Sequence, residues 1–158
     1  MELYFCISLQ RSGNTLLGSI LNQNPDVTLT ANSPLTEIIY QLDLIKTNDA
    51  IPQQQNFPHH ESLDNVIRKT FYTYSETFKT KYVINRCNWG SDANLELLEK
   101  YFDKKIKFLI LYRNPLECLA SLLKAYKVKK EDSEKAADYY MNIETGTLGN
   151  AISQIPFV

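Results

Sequence analysis

The sequence predicts an α/β fold, with a central parallel sheet and helices on both faces. Two observations predict it. The stretch Leu3–Gln23, LYFCISLQRSGNTLLGSILNQ, passes from a short apolar run through a tight polar turn directly into a helical pattern. Beyond it, short apolar runs keep alternating with segments of helical periodicity. Strands separated by helices need crossover connections, which make neighbouring strands parallel and cover both sheet faces.

Each element has its own signal. Residues 3–9 read as a buried strand and 13–23 as a helix. Asn24-Pro25-Asp26 is a turn, and Val27–Thr30 fits a short strand. Pro34 opens a helix through Ile45, because Leu35, Ile38, Ile39, Leu42 and Ile45 fall on one face. Residues 47–60 are polar, with Pro52, Pro58 and several glutamines, and read as a mobile loop. Ser62 through about Thr77 is helical, and Tyr82–Asn85 is a strand. Asp92 caps a helix to Phe102, and Ile106–Tyr112 is the strongest strand of the chain. Asn114-Pro115 starts the next helix, with Leu116, Leu119, Ala120, Leu122 and Leu123 as its apolar set. Ser133–Ile143 is the final clear helix. There are no repeats and no low-complexity segment.

Composition narrows the function classes. At 158 residues the chain is one domain, long enough for a proper core. Its net charge of −1 gives no basic field for nucleic acid. Lysines crowd residues 124–135, but Glu131, Asp132 and Glu134 interleave with them, as on a solvated helix junction. Cys6, Cys87 and Cys118 are odd in number and far apart, with no metal spacing, which reads as free thiols in a reducing, cytoplasmic setting. The first apolar run is too short for a membrane span and lacks the basic start of a signal peptide.

The turn Gln10-Arg11-Ser12-Gly13-Asn14-Thr15 carries the chemistry. A strand-to-helix turn aims free backbone N–H groups at one point, at the positive end of a helix dipole. Gly13 allows close approach, Arg11 adds a planar fork of donors, and Ser12 and Thr15 add hydroxyls. The plain alternative is a tight connection with an ordinary cap. It is not a triphosphatase loop, which needs G-x-x-x-x-G-K-[ST].

Arginine placement points the same way. The chain has only four arginines, and Arg11, Arg86 and Arg113 each end a strand, in ISLQR, YVINR and FLILYR. Ligands of parallel α/β sheets bind beyond the carboxyl ends of the strands. One such arginine fits a surface ion pair, whereas three favour a polyanionic ligand. In YRNPLECLASLLK, Ser121 lies eight residues after Arg113, roughly 9 Å up the helix that Pro115 opens. Arg113 and Ser121 can close on one phosphate, or Ser121 is a small packing residue. A magnesium-dependent nucleotide enzyme would want an aspartate where these strands end in arginine.

The segments QRSGNTLLGSILNQNPDV and YRNPLECLASLLK, joined by YVINRCNWGSDANLELLEKYFDKKIKFLILYR, resemble the sulfotransferases that use 3′-phosphoadenosine 5′-phosphosulfate (PAPS). The first is similar to the family's 5′-phosphosulfate loop, and the second to its 3′-phosphate motif. The resemblance covers most of residues 3–150. It implies a P-loop-like three-layer fold and transfer of a sulfuryl group from PAPS to a hydroxyl or amine acceptor, a small molecule or carbohydrate, without a metal. By resemblance, Arg11 stabilises charge on the transferring group, while Ser12, Gly13, Asn14 and Thr15 cradle the 5′-phosphosulfate. Arg113 and Ser121 clamp the 3′-phosphate, and Arg86 sits where the family often has a lysine facing the site.

The acceptor's general base is not evident. The candidates are Glu37, His59 and His60. Family members are usually longer, so the expectation is a domain over residues 1–158 that lacks the C-terminal part of the fold. An unpaired sheet edge, self-association and a poorly held tail from Gly146 to Val158 follow from that expectation. Two alternatives stand beside the transferase reading: a non-catalytic nucleotide-binding remnant and a small kinase-like enzyme.

Overall fold

A computed structural model describes residues 1–48 and 50–153, with the backbone alone at Thr147 and Ser153. Four strands, β1 (Glu2–Ser8), β2 (Val27–Asn32), β3 (Tyr82–Arg86) and β4 (Phe108–Leu111), form one sheet in the order β2-β3-β1-β4. All neighbours are parallel, with Phe5 opposite Asn85 on one side and Phe108 on the other. The chain leaves β1 toward β2, then returns past β1 to reach β4. The strand order therefore reverses at β1, where open α/β sheets place their ligands.

The helices are α1 (Asn14–Leu21), α2 (Leu35–Thr47), α3 (Pro52–Asn56), α4 (His60–Glu76), α5 (Asp92–Tyr101), α6 (Pro115–Ala125), α7 (Ser133–Met141) and α8 (Thr147–Ser153). Strand alternation divides the core. Leu3, Phe5 and Val83 point to one face and pack with Leu35 and Ile39 of α2, Ile67 and Phe71 of α4, and Leu97 and Leu98 of α5. Phe5 sits at the centre, edge-on to Trp89 at 4.8 Å and to Phe102 at 5.0 Å. Cys6, Leu29 and Ile84 point to the other face, under Leu17 and Leu21 of α1. A smaller cluster joins Leu9 to Cys118 and Leu122 of α6 and Leu148 of α8. Among the described residues no helix is long and apolar enough to cross a membrane.

Two expectations are corrected here. Residues 47–60 are not a continuous loop, because Pro52 occupies the first turn of the short helix α3. The tail from Gly146 is held as far as it is described: α8 buries Leu148 fully, and Ala151 and Ile152 pack against the same cluster. Ile155, Phe157 and Val158 lie outside the described residues. Among the described residues β4 is an edge strand, and Ile110 on it is 64% exposed.

Candidate functional site

A cleft of ≈ 740 Å³ lies across the carboxyl ends of β3, β1 and β4. Gln10, Arg11, Gly13, Asn14, Thr15 and Leu16 line it from the β1–α1 turn. Asn32, Arg86, Cys87 and Asn88 line it from the β2 and β3 side, and Arg113, Ser121, Asn150 and Ala151 from the other. All three strand-tip arginines thus meet in one cleft. No aspartate, glutamate or histidine is among the described residues that line it. The wall is cationic and rich in neutral donors, which suits an anion.

The turn is built for exposed N–H groups. Gly13 precedes α1 with φ 110°, a conformation that favours glycine, and Arg11 is also left-handed at φ 67°. A Cβ at Gly13 would meet nothing within 4 Å, so the conformation and not the space calls for glycine. The Leu17 N–H bonds the Gly13 carbonyl at 3.0 Å. Helix geometry leaves the N–H groups ahead of it without intrahelical acceptors, and Asn14, Thr15 and Leu16 all line the cleft.

Ser12 and Asn14 serve the turn itself. Ser12 is buried and absent from the cleft wall; its hydroxyl and its N–H both donate to the Leu9 carbonyl, at 2.7 and 3.3 Å. Asn14 Nδ2 donates to the same carbonyl at 3.3 Å, and its Oδ1 is buried without a partner among the described residues. An amide oxygen repels an anion, so the group Asn14 can offer an anion is its backbone N–H.

The two clusters are cross-linked, and Arg113 and Ser121 both line the cleft. Arg11 Nε donates to Ser121 Oγ at 3.3 Å, and Arg113 Nη1 donates to the Arg11 carbonyl at 3.1 Å. Arg113 Nε pairs with Glu117 at 3.0 Å. Asn114 caps α6 by accepting from the Leu116 N–H, and Pro115 fits the first turn. Arg86 is fixed through its backbone: its N–H donates to Thr30 Oγ1 at 2.9 Å, and its carbonyl accepts from the Ser33 N–H at 2.9 Å.

The candidate bases do not line the cleft. Glu37, in the first turn of α2, is exposed and accepts from Gln41 Nε2 at 2.7 Å. His59 precedes α4, exposed and stacked on Phe57 at 5.3 Å, and His60 starts that helix. Helix α8 contributes Asn150 and Ala151 to the cleft, which the sequence reading missed.

The family described as sulfotransferase domain matches residues 3–155. The chain belongs to the sulfotransferase domain family. No curated protein matches it. The sulfotransferase domain from the Synechococcus PCC 7002 olefin synthase, a solved structure, is similar in fold, with a TM-score of 0.53 at 16% identity. The similarity covers 96% of this chain but only 60% of that one. The parallel sheet flanked by helices is the fold of this sulfotransferase domain.

Proposed function

We propose that this chain transfers a sulfuryl group from PAPS to a hydroxyl or amine acceptor, a small molecule or a carbohydrate. The observation that carries the reading is the convergence of Arg86, Arg11 and Arg113 on one cleft beside the N-terminus of α1. Its volume is in the range of nucleotide-sized sites. In this reading Gly13, Asn14 and Thr15 cradle the 5′-phosphosulfate through backbone N–H groups and the Thr15 hydroxyl. Ser12 secures the turn from behind. Arg113 and Ser121 receive the 3′-phosphate, and the charge assistance of the guanidinium sets donors bearing that group apart from ATP.

Sulfuryl transfer resembles phosphoryl transfer. The acceptor oxygen or nitrogen forms a bond to sulfur while the bond from sulfur to the phosphate-bridging oxygen breaks, and adenosine 3′,5′-bisphosphate leaves. In a loose, in-line transition state, catalysis is mainly positioning and charge stabilisation. Arg11 supplies the charge at the bridging oxygen, and Arg86 faces the sulfuryl group from the β3 side. The acceptor proton passes to a base. Glu37, His59 and His60 are the candidates for that base. The free cysteines fit a reducing compartment such as the cytoplasm.

Thermal-shift titration with adenosine 3′,5′-bisphosphate and with ATP tests the donor. Stabilisation by the bisphosphate alone is expected. Sulfate transfer from labelled PAPS to a panel of sugars, phenols and amines tests turnover. Equal stabilisation by ATP would defeat the reading, and bisphosphate binding without transfer to any acceptor would favour a non-catalytic domain.

A further inference from the structure

Asn85 is an anomaly in the sheet. It is 1% exposed in β3, next to buried Val83 and Ile84. A buried amide is costly in such a place unless its hydrogen bonds are made. They are made to two cleft-bearing segments. Asn85 Nδ2 donates to Ser33 Oγ at 3.1 Å, and Asn85 Oδ1 accepts from Trp89 Nε1 at 3.0 Å. Ser33 Oγ also accepts from the Leu35 N–H and donates to Tyr74 Oη, each at 3.1 Å. The hydroxyl's single donor and both its lone pairs are used.

This closed network sits directly behind one wall of the cleft. Ser33 follows Asn32, and Trp89 follows Arg86, Cys87 and Asn88, all of which line the cleft. Trp89 is fully buried on Phe5. Gly90 allows the segment to press on β1, since a Cβ there would lie 2.8 Å from Ile7 Cγ2. β3 and β4 flank β1 on opposite sides, so this wall faces Arg113 and Ser121 across Arg11.

We propose that Asn85, Ser33 and Trp89 are positioning residues that fix the Arg86 wall, the side from which the acceptor reaches the sulfuryl group. The assignment of that side rests on the sulfotransferase reading above. The network acts through Arg86, Cys87 and Asn88, and its own atoms stay behind the wall. A core that needed only apolar packing would have no use for a buried amide bonded through both its nitrogen and its oxygen, whereas a wall that must hold its geometry does.

The test compares three variants of the whole chain. Trp89→Phe keeps an aromatic ring and removes the indole N–H. Ser33→Ala removes the hub with little change in volume, and decides the matter if Trp89→Phe fails to fold. Ile67→Val, in the same core cluster, controls for general destabilisation. Amide hydrogen exchange at Arg86 and Ser33 is read in each. About tenfold faster exchange at both amides is expected in the network variants but not in Ile67→Val. Affinity for adenosine 3′,5′-bisphosphate should stay within about twofold, because that ligand engages the opposite wall. Turnover from labelled PAPS should fall about tenfold or more. Wild-type exchange in both network variants, or the same acceleration in Ile67→Val, overturns the proposal. If the wild-type chain neither binds the bisphosphate nor transfers sulfate, the donor reading fails, while the exchange comparison still decides whether the network holds the wall.

Discussion

The guanidinium of Arg113 donates to the main-chain carbonyl of Arg11, 102 residues away in sequence, at 3.1 Å. Arg11 is left-handed at φ 67°, a conformation that most side chains adopt only under restraint. Arg113 supplies part of that restraint. The residue just past β4 therefore shapes the turn after β1, and the two clusters of cleft-lining residues are joined.

That coupling sets the outcome of Arg113→Ala. Adenosine 3′,5′-bisphosphate binding should weaken by about 1.5–3 kcal/mol, the range for a charge-assisted hydrogen bond. A ligand without the 3′-phosphate, adenosine 5′-phosphosulfate, should lose less, about 0.5–1 kcal/mol, through the loosened Arg11 carbonyl. Calorimetry of both ligands separates the effects. Equal losses would mean that Arg113 acts only on the turn and is no 3′-phosphate clamp.

Arg11→Ala should lower turnover by on the order of 10²–10³, as loss of one preorganised charge stabiliser does. Arg11→Lys should keep much of the rate, since the cation is retained although the Nε bond to Ser121 is lost. A loss of about 10²-fold in Glu37→Gln or in His59→Ala, within the range for general base catalysis, would mark that residue as the acceptor's base. Single-turnover assays with labelled PAPS make the comparison. Full activity in Arg11→Ala would remove it from the chemistry.

Gly13→Ala isolates the backbone of the turn. The added Cβ meets nothing within 4 Å, so the only penalty is holding alanine at φ 110°. That costs about 1–3 kcal/mol. The variant should melt lower and bind the bisphosphate more weakly, because relaxing φ re-aims the N–H groups. Unchanged melting would show that the turn adopts another conformation in solution.

Local signals made the first half of the site legible. The strand, turn and helix at residues 2–21 need only neighbours in sequence, and the arginines at the ends of YVINR and FLILYR follow from strand ends. Links between distant residues were not legible. The Arg11–Ser121 bond spans 110 residues and the Asn85–Ser33 bond 52. Nothing local marks Asn85 as different from a strand-end amide. Helix α8 escaped because TLGNAIS carries a glycine and little periodicity. What holds it is the burial of Leu148 beside Leu9, Cys118 and Leu122, a tertiary effect.

Cys87 offers a chemical probe of the cleft. Burial pushes the thiols of Cys6 and Cys118 up, so they are poor nucleophiles. Cys87 is half-exposed and lines the cleft. Iodoacetamide followed by peptide mass spectrometry should label Cys87 first. Labelling of Cys118 ahead of Cys87 would contradict the burial seen here.

The joint between α2 and α5 should carry an acid-sensitive share of stability. Burial alone would raise the Asp43 carboxyl. Hydrogen bonds from Lys100 and Tyr101, with the charges of Lys100 and Lys46, outweigh it and hold the group below its usual 3.8. The Lys100 bond is 2.7 Å, and Lys100 itself is 45% exposed, so solvent screens much of the pair. The sign follows from linkage. A carboxyl depressed in the folded state binds protons more weakly there than in the unfolded chain, so its contribution is present in full above the unfolded value. It is lost as the pH falls below 3.8 through the folded value. Asp43→Asn should therefore melt below wild type at pH 7, and the gap should narrow as the pH falls below 3.8. Melts of both proteins across that range give the answer: a gap that stays constant down to pH 3 would mean that Asp43 stabilises the joint by packing and not by charge.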